Sequence, residues 1–295
     1  MISLVVAVLR EATPMIYVAM AGMLAQRAGV WNLGLEGLMI TGACAGVVIT
    51  ERVGSVLAGV AGAVLFSVLL SVLLWVVIEK LRANPIIAGL GLTGLGLSGT
   101  DLAIQAIYGS EAAVTAPAGI PTLGPAYGIL GVLDVLVLLM PFTVLALWVL
   151  LRRTRFGLRL AACGEHPFAA RSVGADPGRM RLLALVLGGV LAGLGGADLS
   201  LGGLQIFSIN MTAGRGFMAF AAVIFGAAHP LGTTFAVLFF SLVEYLGIKA
   251  QLVFGENAPR DFILMLPYLA TVLGIWISAR LRGGAVVNSA ELRDS

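Results

Sequence analysis

Two ionisable side chains stand inside stretches that otherwise read as apolar: Glu36 in GVWNLGLEGLM and Arg215 in NMTAGRGFMAF. A charge at the centre of a bilayer costs about 2.5–3.5 kcal/mol on insertion scales, so each needs a reason to be there. The two stretches resemble each other. Glu36-Gly37-Leu38-Met39 aligns with Arg215-Gly216-Phe217-Met218, and each has an Asn upstream, Asn32 and Asn210. Both are interrupted by glycine, and matched broken segments in two halves of a chain point to the central site of a transporter. Asn32, Glu36, Asn210, Thr212 and Arg215 are the candidates for a translocation path. Two arrangements stay open. Either Glu36 and Arg215 pair or line a path between discontinuous helices, or each satisfies nearby backbone groups at a helix break.

Other chemistries find less to work with. Asp101, Asp134, Asp198 and Glu244 are scattered, and Asp134 and Asp198 lie near expected external ends, where they could snorkel to water. A proton relay through them is the alternative. The histidines are His166 and His229, with no H-E-x-x-H pattern and no Cys/His cluster, so a zinc or triad enzyme has no candidate site. Cys44 and Cys163 make no disulfide framework and are read as free thiols.

The elements that carry these residues are membrane spans. The chain has 295 residues, 59% of them apolar and 11% charged, against about 25% charged in a soluble domain. A soluble fold would lack polar faces to cover its surface. The fold class is therefore an all-α integral membrane protein, a polytopic bundle of about 8–10 helices with a possible internal repeat. Expected spans are 4–26, 32–50, 55–78, 84–108, 131–151, 182–201, 214–229, 231–248 and 261–279, forming one transmembrane domain over 1–295. The N-terminus lacks a basic n-region, so no cleaved signal is expected.

Charge placement orients the bundle. Arginines 152, 153, 155, 159, 171, 179 and 181 crowd the loop 152–181, which is cytoplasmic by the positive-inside rule. Counting outward puts Arg27, Lys80, Arg82, Arg280, Arg282 and Arg293 inside, and Arg10, Arg52, Lys249 and Arg260 outside. The N-terminus is then external and the C-terminus cytoplasmic. Residues 109–130, with Pro117, Pro121 and Pro125, form the main external loop, and 280–295 is a polar tail. Rows of small residues, Gly188/Ala192/Gly196, Gly189/Gly193/Ala197 and Gly42/Gly46, suit close helix packing in lipid, within the chain or between subunits.

The charged loop has local structure of its own. In CGEHPFAARSVGADPGRMR, residues 163–181, Pro167 fits the first position of a helix and Gly174 a left-handed stop. Asp176-Pro177 then reads as a second N-cap and N1 pair opening the next span. The result is a slim two-turn helix with Ala169 and Ala170 at its centre and Phe168 and Arg171 on one side. Such a helix suits a groove on another protein; an ordinary basic loop is the alternative.

This segment resembles the cytoplasmic coupling loop of ATP-binding-cassette (ABC) importer permeases, in which an Ala-Ala pair is followed four residues later by Gly; here Ala169, Ala170 and Gly174. The wider stretch FGLRLAACGEHPFAARSVGADPGRMR resembles the inner-membrane permeases for nucleosides and simple sugars, the branched-chain amino acid/ribose-type family. So do ATPMIYVAMAGMLAQRAGVWNLGLEGLMITGA, NMTAGRGFMAFAAVIFGAAHPLG and LPYLATVLG. The likeness is greatest to the shorter permease of nucleoside systems. It implies a bacterial inner-membrane subunit that binds no cofactor itself, with ATP and Mg held by a partner ATPase. Glu165, His166, Pro167, Phe168, Ala169, Ala170, Arg171 and Gly174 would couple to that ATPase. A second permease chain, of a different sequence rather than a copy, and an external substrate-binding protein complete the implied assembly, with no nucleic acid. The substrate is a nucleoside or a ribose-like sugar. Consistent with this, Lys80 and Lys249, the only lysines, are followed by Leu and Ala, so no phosphate loop exists. An ion-gradient-driven transporter, with Glu36, Asp101 and Glu244 as its carboxylates, is the alternative.

Overall fold

A computed structural model describes residues 2–109, 113–203 and 205–254 of the chain. Two compact units are distinguished, 1–237 and 238–295, and the candidate site described below belongs to the first. Helix α1 (Ile2–Arg27) leads through a partly buried turn to α2 (Leu35–Val53). Helix α3 (Val56–Trp75) continues as a π turn through Lys80, and α4 (Pro85–Tyr108) follows. Their starts are written locally: Asn84 accepts the Ile86 N–H at 2.9 Å while Pro85 occupies the first turn, where no N–H is needed.

The second half opens with α5 (Val135–Arg153), capped by Asp134, which accepts the Val137 N–H at 2.9 Å. Two short helices come next, α6 (Arg155–Glu165) and α7 (Pro167–Ser172). Helix α8 (Pro177–Ala197) is capped by Asp176 and ends in a π turn over Asp198–Gly203. Helices α9 (Arg215–Phe225) and α10 (Pro230–Phe254) complete the described chain.

Among the described residues, six helices are long and apolar enough to cross a membrane: Ser3–Arg27, Val56–Lys80, Pro85–Tyr108, Val135–Arg153, Pro177–Gly203 and Pro230–Lys249. The two remaining expected spans here differ in kind. Helix α2 has 19 residues but carries Glu36 in its first turn and Arg52 in its last. Helix α9 has only 11. The expected span 261–279 and the tail 280–295 lie outside the described residues.

The expected external loop is partly structured. Strand β1 (Ala113–Thr115) pairs antiparallel with β2 (Ile206–Ser208), Val114 opposite Phe207. A 3-10 helix, Pro125–Val132, precedes α5. The Ala116 N–H donates to Gln205 O at 2.7 Å and the Ile120 N–H to Leu201 O at 3.0 Å, tying the loop to the chain that follows α8.

Helix α8 sits against α1, α2 and α3, and its small residues make that possible. A Cβ added at Gly193 would lie 2.7 Å from Val64 Cα, and one at Gly195 2.7 Å from Pro14 O. At Gly196 it would run into Met39 O. In lipid, where apolar burial drives nothing between helices, this backbone-to-backbone approach supplies the packing. The glycine rows of α2 and α8 therefore meet each other inside one chain: Gly42 would meet Gly193 Cα at 3.1 Å.

One expectation is corrected. Asp134 and Asp198 do not reach water; they are only 3% and 5% exposed. The Gly202 Cα–H faces both, since a Cβ there would lie 2.8 Å from Asp134 Oδ2 and 3.0 Å from Asp198 Oδ1.

Candidate functional site

Helix α1 ends at Arg27, and residues 28–34 return along α9 before α2 begins. Gly29 takes the left-handed φ of +77° that turns the chain, and Val30 and Asn32 are buried. The Asn32 side chain accepts the Gly34 N–H at 2.9 Å, setting the start of α2. Trp31 packs edge-on against Phe220 of α9, ring centroids 6.1 Å apart.

Helix α9 enters through an equally tight approach. Asn210, Ala213 and Gly214 all have positive φ, at 59°, 46° and 84°, and Thr212 is fully buried. Two non-glycine residues in that region mark a backbone held by its surroundings. Eleven residues at about 1.5 Å each make α9 roughly 16 Å long, about half a hydrocarbon core. Its C-terminal turn is fastened to the end of α1, where Arg27 Nε donates to Ala228 O at 2.8 Å. The N-terminus of α9 therefore lies near the middle of the membrane.

There the two glycine-broken segments meet. Glu36 Oε1 accepts the Gly214 N–H at 2.9 Å and Oε2 accepts the Gly216 N–H at 2.5 Å. The carboxylate belongs to the first turn of α2 and caps the first turn of α9. Both helices present their positive dipole ends to it, so one buried anion, 2% exposed, is stabilised from two sides. Glycine is required for the contact: a Cβ at Gly216 would lie 2.5 Å from Glu36 Cα and N. On the other face of α2, Gly37 meets α4, with a Cβ at Gly96 falling 2.6 Å from Gly37 Cα. Thr93 Oγ1 closes the same seam by donating to Leu33 O at 3.0 Å.

Arg215 is placed beside this junction, and its Nη2 donates to Glu11 Oε2 of α1 at 2.9 Å. Glu11 is a residue that sequence reasoning missed. The signal was present, an acid inside the first span, but nothing local joins positions 204 residues apart. Asn210 is exposed, whereas Asn32, Glu36 and Thr212 are buried. The structure thus gathers Glu11, Glu36, Gly214, Arg215 and Gly216 around one break.

The arginine-rich loop forms a separate feature. Thr154 turns the chain from α5 to α6, accepting the Gly157 N–H at 3.3 Å and donating to Leu150 O at 2.6 Å. Helix α6 was not anticipated; its Leu160 and Cys163 are fully buried, and Gly164 packs on the backbone of Arg27 and Gly29. Burial pushes the Cys163 thiol upward, with Asp176 adding to it and Arg181 opposing. Helix α7 follows, with Pro167 in its first turn and Gly174 at φ +82° behind it. Asp176 Oδ1 then accepts the Gly178 N–H at 2.9 Å.

The faces of α7 are unequal. Phe168 and Val173 are 83% exposed, and Glu165, His166, Ala169, Arg171 and Gly174 are exposed with them, Pro167 partly so. Ala170 departs from the expectation that it meets a partner: at 3% exposure it faces the chain's own interior. Beside this loop, His229 is shifted below its ordinary value by burial first, then by the charges of Arg152 and Arg27. Arg27 and the His229 turn lie together at one end of the bundle, joined by the Arg27–Ala228 bond.

Two buried helix starts meeting on one carboxylate among membrane spans are the arrangement of a membrane transport protein. Residues 4–278 match the family described as branched-chain amino acid transport system / permease component, and the chain belongs to that family. It is a multi-pass protein of the inner membrane. The guanosine ABC transporter permease protein NupQ of Bacillus subtilis is 33% identical over 92% of this chain and 90% of its own length. The nucleoside ABC transporter permease protein NupC of Lactococcus lactis is 29% identical over 95% and 92%. A putative glucose ABC transporter permease protein, TsgC13 of Haloferax volcanii, is 32% identical over 88% and 82%. No solved structure matches the chain.

Proposed function

We propose that this chain is the path-forming permease subunit of an ATP-driven nucleoside importer. The observation that carries this is the end-to-end likeness to two permeases named for guanosine and for nucleosides, each covered over nine-tenths of its length. Substrate would pass the break where Glu36 holds the starts of α2 and α9, with Asn32, Asn210, Thr212 and Arg215 around it. The exposed face of α7, led by Phe168 and Ala169, would dock in a groove on a separate ATPase, which holds ATP and Mg. Because α6 packs on the end of α1, and the end of α1 is bonded to the turn after α9, motion at α7 has a continuous route to that break. An external binding protein would deliver substrate, and a second, non-identical permease chain would complete the path.

The test is purification of the tagged chain from its native cell in mild detergent, followed by uptake of labelled nucleosides against labelled sugars. An ATPase and a second permease should co-purify, and ATP-dependent nucleoside uptake should exceed that of any sugar. Uptake of a hexose instead would select the sugar reading, which the likeness to the glucose-named permease favours. A chain that purifies alone and transports on an ion gradient would overturn the importer.

A further inference from the structure

Between the end of α3, the start of α4, and helices α7 and α8 lies a polar cavity of about 410 Å3. Arg82, Arg171 and Arg181 line it with Glu79, over walls that include Ile78 and Pro85. Three guanidinium groups face one carboxylate, and that carboxylate is already engaged, Glu79 Oε2 accepting from Arg181 Nη1 at 3.0 Å. The Nε of Arg181 is buried without a hydrogen-bond partner. That nitrogen is covered by the protein itself, so the exposed Arg82 and Arg171 are the cations open to the cavity. Arg82 stands in the left-handed region at φ 56°, on the turn that brings α3 to α4.

The depth of the cavity says what kind of acceptor it meets. The Trp75 indole, one turn before Glu79, donates to Gly178 O at 3.0 Å, and Lys80 lies 5.7 Å from the Trp75 ring centre. A Trp and a Lys at the end of a span mark the headgroup level. The rim is oily on the bilayer side: Leu81 is 70%, Ile87 69% and Ile86 43% exposed. An arginine-lined cavity with an apolar rim at headgroup depth matches a ligand with an anionic phosphate and hydrocarbon tails.

We propose that this cavity binds the phosphodiester headgroup of an anionic phospholipid of the leaflet that faces the arginine-rich loop. Arg82 and Arg171 grip its free oxygens, Arg181 neutralises the Glu79 carboxylate beside them, and the acyl chains leave past Leu81 and Ile87. The lipid then joins α7 to the turn between α3 and α4. This rests on the membrane placement alone and stands whether or not α7 docks an ATPase.

The test uses the purified full chain with whatever subunits accompany it, in nanodiscs of phosphatidylcholine with or without phosphatidylglycerol. Phosphatidylglycerol should raise the melting temperature and remain bound through detergent washing. Retention should fall about fivefold for each of Arg82→Gln and Arg171→Gln. Arg82→Gln keeps the test open if Arg171→Gln folds poorly. Equal retention by wild type and variants overturns the proposal. So does stabilisation of the wild type, but not the variants, by millimolar inorganic phosphate in phosphatidylcholine alone, which would assign the site to a free phosphate. Loss of a co-purifying protein with lipid retention unchanged would assign it to that protein's acidic side chain.

Discussion

The carboxylate of Glu36 accepts the backbone N–H of Gly216, while the Cα of Gly216 lies where any side chain would strike the backbone of Glu36. One residue of α2 and one of α9 are thus locked both electrostatically and sterically. Glu36→Gln leaves one carbonyl oxygen for two N–H groups, and its amide brings an unwanted donor. A charge-assisted bond of this kind contributes about 1.5–3 kcal/mol. The variant should insert but melt several degrees lower in a thermal scan of the purified protein, and Glu36→Ala lower still. Unchanged melting would mean the cap contributes nothing.

Glycine positions should divide by what stands opposite them. Gly216→Ala and Gly96→Ala push a methyl into a neighbouring backbone and should cost about 1–3 kcal/mol or more. Gly94→Ala and Gly99→Ala, on the same α4, meet nothing within 4 Å, so they should be neutral or gain up to about 1 kcal/mol from helix propensity. Comparing the four by thermal melting or by denaturant in micelles checks the helix contacts directly.

The pairing of Arg215 with Glu11 is open to a double-mutant cycle. Glu11→Gln and Arg215→Met should each destabilise, and together they should cost less than their sum, by about 0.5–3 kcal/mol. Strict additivity would show that the 2.9 Å contact carries no net energy.

Helix α7 offers a separation of docking from folding. Ala169→Arg and Phe168→Ala alter exposed positions and should reduce ATPase co-purification while leaving the melting temperature within a degree or so. Ala170→Arg places a charge in an interior site and should lower the melting temperature itself. Gly174→Val forces a β-branched residue to φ +82°, a strain that the open space around it does not relieve, and should also lower the melting temperature. Normal docking and normal ATP-driven uptake in Ala169→Arg would remove α7 from the coupling surface.

Features whose causes lie within one turn of the chain are legible in the residues alone. The membrane class follows from composition. Pro167, Gly174 and Asp176-Pro177 mark the borders of α7 and α8 because φ limits and missing N–H groups act locally. The breaks before Glu36 and Arg215 are visible for the same reason, as glycine and asparagine interrupting apolar runs. Helix α6 escaped because its apolar face alternates with arginines over only 11 residues, a pattern that a basic loop also produces. Which groups meet across distance follows from the packing of the helices. Glu36 reaches the N–H of residues 178 and 180 positions away, Arg215 finds Glu11, Asp134 and Asp198 both face Gly202 in the interior, and Ala170 turns inward while Ala169 turns out. A side chain's partner is set by how whole helices pack, and in this chain that packing is set by where glycine lets two backbones touch.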